Sequence, residues 1–416
     1  MPVRLKWNHG RRNCFHVFSL GLALLMGWLT SCSMAPASNS APSGQHRDYH
    51  LYNAIPQIAN HILQAQIPNG GICESIVARK THGVLMTYCF GGLALLKAYQ
   101  MTGKQRYLMD AKKFVEFWFR HQNLKPDRQG LTGTFYTLRY LGHGHLTPLI
   151  YRNGPNKGGP GYDASDADPL FVARTAYRYY TLTGDLAFLR KYKKNFMLIG
   201  KAITATLQPD GLTWAEPKWK VKYLMDASEV WTGYLDLGDT FEALKKPRQA
   251  SVYMKLAARV KAGIEAMWNV RDSWYYWAKF PHGVKQSCHW HLIYPDALEQ
   301  IWPTLWGVIP PTATPARKVW AQFTLHHPHW SHWNHWPCVG RTAAMMGDIR
   351  AADRQTREIL RTRLHVEAWS VNSMYFTLLN CCRLFDIQGG ACVRPQEYRT
   401  VHSPATNITR SAATPQ

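Results

Sequence analysis

The chain has 416 residues, and 49 Lys and Arg against 26 Asp and Glu give it a formal charge of +23. A hydrophobic share of 46% with only 18% charged residues excludes a mainly disordered chain, because such chains lack the apolar surface that offsets ordering entropy. The basic residues are scattered and no nucleic-acid motif accompanies them, so nucleic acid is not an expected partner.

Taken from the start, Arg4, Lys6, Arg11 and Arg12 precede an apolar stretch, residues 15–29, too short to span a bilayer as a helix. That is the pattern of a secretory signal. Its end, Leu29-Thr30-Ser31-Cys32, resembles the bacterial lipobox, which implies cleavage after residue 31, lipidation of Cys32 and attachment to a membrane. Ser33 resembles an outer-membrane sorting residue. The expected organisation is a lipoprotein signal peptide over 1–31, a flexible tether over 32–47, a catalytic domain over 48–386 and a disordered tail over 387–416, in a monomer held at the periplasmic face of the outer membrane. Without residues 1–31 the chain keeps 45 basic against 26 acidic residues, a charge of +19. Seven Cys follow Cys32; in an oxidising compartment they allow up to three disulfides, and none has metal-site spacing.

From residue 49 to 384 the chain reads as helix after helix. A first helix over 49–64 is followed by pairs at 82–101 and 104–121, 166–182 and 185–207, 223–244 and 248–268, 296–308 and 316–324, and 337–346 and 349–363, with a last helix over 366–385. The motif Thr-Gly-x-x-x-Tyr/Phe-Leu marks two of the joints, ending at Tyr107-Leu108 and Phe188-Leu189. Connections within the pairs are short, whereas those at 65–81, 122–165, 208–222, 269–295 and 325–336 are long. Twelve helices in six hairpins resemble an all-α fold, the (α/α)6 barrel, with an inner ring whose N-termini open into a cleft lined by the long loops.

Those loops hold eight of the 17 Trp. An aromatic ring offers a flat apolar face to the C–H side of a sugar, so Tyr162, Trp214, Trp219, Tyr223, Trp274, Trp277 and Trp333 are candidate substrate-binding residues. Acids share the same loops. Glu74 lies before the first inner helix, where neighbouring rings would raise its pKa and suit it to donate a proton. In Tyr162-Asp163-Ala164-Ser165-Asp166-Ala167-Asp168, Ser165 or Asp166 suits a helix cap and Asp168 the first turn, yet three acids exceed what one cap needs. Asp226 and Glu229 share a helical face that either opens on the cleft or pairs outward with Lys222. Asp296 reads as a cap with Glu299 as its capping-box partner, at the same mouth. The catalytic candidates are therefore Glu74, Asp166, Asp226 and Asp296, with Asp168 and Glu229 as sugar ligands.

The run Ala164-Ser165-Asp166-Ala167-Asp168 resembles the signature of glycoside hydrolase family 8, inverting β-glucanases built on this barrel. The resemblance implies Glu74 as acid, Asp166 as the residue gripping the sugar and Asp296 as base, and it extends to the wider class of six-hairpin glycosidases. The expected activity is hydrolysis of a polysaccharide or oligosaccharide by two opposed carboxyls, with no metal or other cofactor. Alternatives on the same barrel are a polysaccharide lyase, a sugar epimerase using His289, His291 or His332, and a non-catalytic glycan-binding export protein. Five His between His326 and His335 invite a metal, but the interleaved Trp fit a sugar platform better.

Overall fold

The computed structural model describes residues 49–383; Cys32, the signal, the tether and the tail lie outside them. The helices are α1 (Tyr49–Ala65), α2 (Ile76–Lys80), α3 (Gly91–Thr102), α4 (Gln105–Arg120), α5 (Asp168–Thr183), α6 (Leu186–Lys191), α7 (Lys193–Thr204), α8 (Leu224–Ala243), α9 (Pro247–Glu265), α10 (Leu298–Leu305), α11 (Thr314–His326), α12 (Pro337–Met345), α13 (Ile349–Arg363) and α14 (Val371–Arg383). Helices α3, α5, α8, α10, α12 and α14 each touch the next, and α14 touches α3, which closes an inner ring. Around it, α4, α6 with α7, α9, α11 and α13 back the helix they follow, and α1 backs α14. This is the (α/α)6 barrel expected from the alternation of turn lengths.

The short-turn end is defined by local chemistry. Gly103 and Gly184 end α3 and α5 in the left-handed conformation, φ 67° and 70°, which a glycine adopts without a Cβ clash. The residues that follow them, Tyr107, Leu108, Phe188 and Leu189, are all buried and anchor the outer helices. Tyr52 Oη donates to the Met101 carbonyl at 2.9 Å, placing the start of α1 at this end. Deeper in, a Cβ on Gly233 of α8 would collide with the Leu170 side chain of α5, so that glycine sets the close approach of two inner helices.

The long-loop end departs from the sequence expectation. Eight strands of two or three residues occur among the described loops, including β1 (Val84–Leu85), β2 (Leu138–Tyr140) and β3 (Leu146–Pro148), which form one antiparallel sheet. Residues 82–90, expected as the start of a helix, instead supply β1 and a turn, so the first inner helix begins at Gly91. The segment 185–207 breaks at Tyr192 into α6 and α7, and the last helix begins at Val371, after a turn. Counting α2 and that break, the described residues hold fourteen helices against twelve expected. Cys73, Cys89, Cys288, Cys338, Cys381 and Cys382 are buried free thiols, so no disulfide forms among them. No helix among the described residues is long and apolar enough to cross a membrane.

Candidate active site

Every inner helix starts at the long-loop end, and the acids follow from that. Glu74 precedes α3; Asp163, Asp166 and Asp168 lead into α5; Glu216 precedes α8, whose first two turns carry Asp226 and Glu229; Asp296 and Glu299 lead into α10. These carboxyls feel one another: the charge of Asp163 acts on Glu74 and Asp168, and Asp166, Glu229 and Glu299 act on Asp226. Asp296 acts on Glu299. The four catalytic candidates thus belong to one group of acids at the barrel mouth.

Within the group, burial separates structural acids from available ones. Asp166 is fully buried, accepting from Thr213 Oγ1 at 2.6 Å and Ala167 N at 2.9 Å; burial raises its pKa to about 7 against those two donors. It caps no helix. Asp168, also buried, opens α5 and reaches back to accept from Ala164 N at 3.1 Å. Burial, then the charge of Asp163, pushes its pKa well up. Asp296 and Glu299 are buried too, and they do not form the expected capping box: Asp296 accepts from His289 N at 2.8 Å, and Glu299 accepts from Met225 N at 3.1 Å, tying α10 to the start of α8.

Available acids are Glu74, Asp226 and Glu229, all half-buried, and Asp163, which is exposed. Burial, reinforced by Asp163, holds the Glu74 carboxyl at about 7, well above the ordinary value of about 4. Asp163 is reached by solvent yet crowded by the surrounding protein, and the loss of hydration raises it to about 6. Asp226 is pushed well up by burial and then by Asp166, Glu229 and Glu299. Glu229 rises to about 8 by burial, while Trp302 Nε1, donating at 2.9 Å, and the Arg174 charge pull it down. The outward pairing with Lys222 does not occur: Lys222 Nζ lies 2.7 Å from Asp210.

Two residues of this site, Glu216 and Tyr88, carry no local signal in the sequence, and Asp163, one of the three acids that exceed the needs of a cap, is not distinguished there from Asp166 and Asp168. Glu216 is buried, with its Oε2 accepting from Gln129 Nε2 and from Asn156 Nδ2 at 3.0 Å, so it joins the loop 122–165 to the loop 208–222; burial sets its pKa at about 8. Tyr88 is pushed up by burial and by Asp163, Glu74 and Asp168, which places its hydroxyl among the acids.

The aromatic candidates divide. Trp219 Nε1 donates to Tyr223 Oη at 3.0 Å, and Tyr223 stacks on Trp277 with ring centroids 6.0 Å apart, a connected group at the start of α8. Trp214 lies beneath Lys220 Nζ at 4.9 Å. Tyr162 is buried and stacked on Tyr136 at 6.3 Å, so its ring serves packing, whereas Trp274 is half-buried, packs edge-on to Trp290 at 5.9 Å and donates through Nε1 to Ser287 Oγ at 3.2 Å. Trp333 stacks on His335 at 5.3 Å and meets Phe323 and His327 edge-on. His289, His291 and His332 are exposed. Among the described residues no group of three or more His, Cys, Asp and Glu is placed to hold a metal ion. Inside the inner ring, Phe90 meets Phe171, Trp306, Tyr375 and Phe376 with centroids 4.9 to 6.0 Å apart, so the axis is plugged by packed rings.

No protein-family model matches the chain, and no curated protein matches its sequence. Solved structures do match. A glycosidase variant in complex with glucose aligns with a TM-score of 0.56 at 13% identity, over 82% of this chain and 100% of that one. A GH63 mannosylglycerate hydrolase from Thermus thermophilus, with glucose, aligns at 0.54 and 10% identity over 80% and 99%, and a rhamnosidase from Klebsiella oxytoca with rhamnose bound at 0.54 and 13% over 84% and 66%. At such identities the likeness is one of fold.

Proposed function

We propose that the protein is a glycoside hydrolase acting on an oligosaccharide or polysaccharide, with Glu74 as the proton donor and Asp163 as the ionised partner. The observation that carries this reading is the pairing of a half-buried Glu74 with an exposed Asp163 whose charge bears directly on it. Glycosidic hydrolysis needs one protonated and one ionised carboxyl beside the bond. Between pH 6 and 7 Asp163, at about 6, gives up its proton first, and Glu74, at about 7, keeps its own.

Protonated Glu74 gives its proton to the leaving oxygen as the bond lengthens, and the Asp163 carboxylate either activates a water or attacks the anomeric carbon. Asp226 and Glu229, on the first two turns of α8, are hydroxyl ligands in this scheme. Asp166, Asp168, Asp296 and Glu299 hold the loops and helix starts from which the working acids project. Fold likeness to structures described as glycosidases, two of them with glucose bound, supports the same reading. The lipobox-like Leu29-Thr30-Ser31-Cys32 supports a lipid-anchored enzyme of the bacterial envelope, where extracellular glycan is the available substrate.

The test is release of reducing sugar from hexasaccharides of glucose, mannose and xylose and from rhamnose-bearing glycans, by wild type and by Glu74→Gln. Release by wild type, lost in Glu74→Gln with glycan binding retained, supports a hydrolase. Binding without release by wild type identifies a glycan-binding protein, and an unsaturated product absorbing in the ultraviolet identifies a lyase.

A further inference from the structure

The inner ring runs α3, α5, α8, α10, α12, α14, so α12 stands across the barrel from α5, the helix that Asp163 and Asp168 lead into. At the same end of the barrel, Tyr294 before α10 and Trp336 before α12 stack at 5.8 Å with their planes 11° apart, and both rings are half-buried. Neither carries a role in the hydrolysis outlined above.

Trp336 is also held in an unusual backbone state. Its φ and ψ of 53° and 53° lie in the left-handed region, which favours glycine or asparagine and which a bulky residue occupies only when its surroundings enforce it. The enforcement is visible. Gln355 on α13, fully buried, donates through Nε2 to the carbonyls of His335 at 3.1 Å and Trp336 at 3.4 Å. Arg363, on the same helix, donates to the Asn334 carbonyl at 3.3 Å and to Asn334 Oδ1 at 3.2 Å. Asn380 on α14 donates to the Pro337 carbonyl at 3.1 Å. Three side chains from two helices thus fix four consecutive residues, 334–337, around a strained Trp.

A turn that only had to start α12 would be made more easily with glycine at 336. What glycine lacks is the ring. We propose that Trp336, with Tyr294 behind it, is a platform for the apolar C–H face of a pyranose ring, opposite the acid-bearing wall of the cleft. This rests on the glycan-directed reading of the same mouth. The stacked pair supplies a broad flat surface, and the straps keep it from yielding when a sugar presses on it, so a ring seated there is held at a fixed distance from Asp163 and Glu74. Trp336 is therefore a positioning residue that selects for a pyranose with an unobstructed C–H face.

The test uses the full chain carrying Glu74→Gln, so that glycan is bound without turnover, and compares it with the same chain also carrying Trp336→Gly or Trp336→Phe. Binding of the glucose, mannose and xylose hexasaccharides is read by calorimetry, and Tm by thermal denaturation. The expected result is affinity reduced about 10-fold or more in Trp336→Gly and less than about 3-fold in Trp336→Phe, with the Tm of the glycine variant lowered by less than about 10 °C, since relief of the left-handed strain partly offsets the loss of a half-buried ring that packs against the core. Affinity within about twofold in Trp336→Gly, or a Tm lowered by about 10 °C or more, overturns the platform, the latter because the ring would then be a packing element. Absence of binding to any hexasaccharide by the parent also overturns it. Hydrolysis by wild type is scored separately: glycan bound but not cut contradicts the hydrolase and leaves the platform standing, whereas glycan cut with Trp336→Gly unaffected does the reverse.

Discussion

Asp185 and Asp168 both stand at helix starts, at opposite ends of the barrel, and they are treated in opposite ways. At the short-turn end Asp185 accepts from Phe188 N at 2.9 Å and lies 3.4 Å from Lys112 Nζ; the N–H and the ammonium hold its carboxyl below the ordinary value. At the mouth Asp168 is buried among other acids and its pKa is driven up. The first arrangement satisfies a helix end, as a cap should. The second crowds like groups where hydration is poor, at a cost the fold bears at this end. Such a conflict marks the mouth as the candidate site.

The largest effects should come from the mouth. Glu74→Gln and Asp163→Asn are each expected to lower kcat by about 10²- to 10⁴-fold, the ordinary worth of a proton-transfer group, measured on whichever glycan the wild type cuts. Stability should move the other way. Glu216 and Glu229 have folded-state values of about 8, and Asp166 of about 7, while the unfolded chain titrates near 4. Between those limits the folded protein holds protons that the unfolded chain releases. Their stabilising contribution is complete below about pH 4 and is lost as pH rises through 7 to 8, so Tm should fall between about pH 5 and about pH 8.5. Asp168→Asn keeps an acceptor for Ala164 N and removes a carboxyl that resists ionisation; it should raise Tm at about pH 8.5 and flatten the decline. An unchanged or steeper pH dependence would mean that the crowding at the mouth is relieved in some other way.

Smaller effects belong to the short-turn end and should leave catalysis alone. Gly184→Ala places a Cβ in a left-handed turn with open space around it, so its cost is conformational, about 1 kcal/mol. Asp185→Ala removes a cap worth about the same. Each should lower Tm by about 2 °C with kcat unchanged, and a change in kcat would blur the contrast between the two ends.

The same contrast governs what the sequence reveals. Glycine turns, buried anchors such as Tyr107 and Phe188, and alternating loop lengths are local features, and they sufficed to read six hairpins and the end at which the acids gather. Asp296 and Glu299 show where local reading fails: their spacing matches a capping box, but the start of α8 lies close enough for Glu299 to accept from Met225 instead. Residues 82–90 fail for a similar reason, since Val84 and Leu85 are apolar enough for a helix and become a strand only because residues 138–139 lie alongside. Glu216 and Tyr88 depend on which loops meet across the mouth, and no spacing along one chain encodes that, whereas the run of acids holding Asp163 is visible in the sequence without showing which of the three faces solvent.

If Glu74 and Asp163 divide the proton between them, the pH dependence of kcat/KM shows it most directly. The expected profile is a bell with limbs near 6 and 7, the acid limb lost in the residual activity of Asp163→Asn and the alkaline limb lost in that of Glu74→Gln. A profile whose limbs survive both substitutions would assign the proton to other groups and contradict that division.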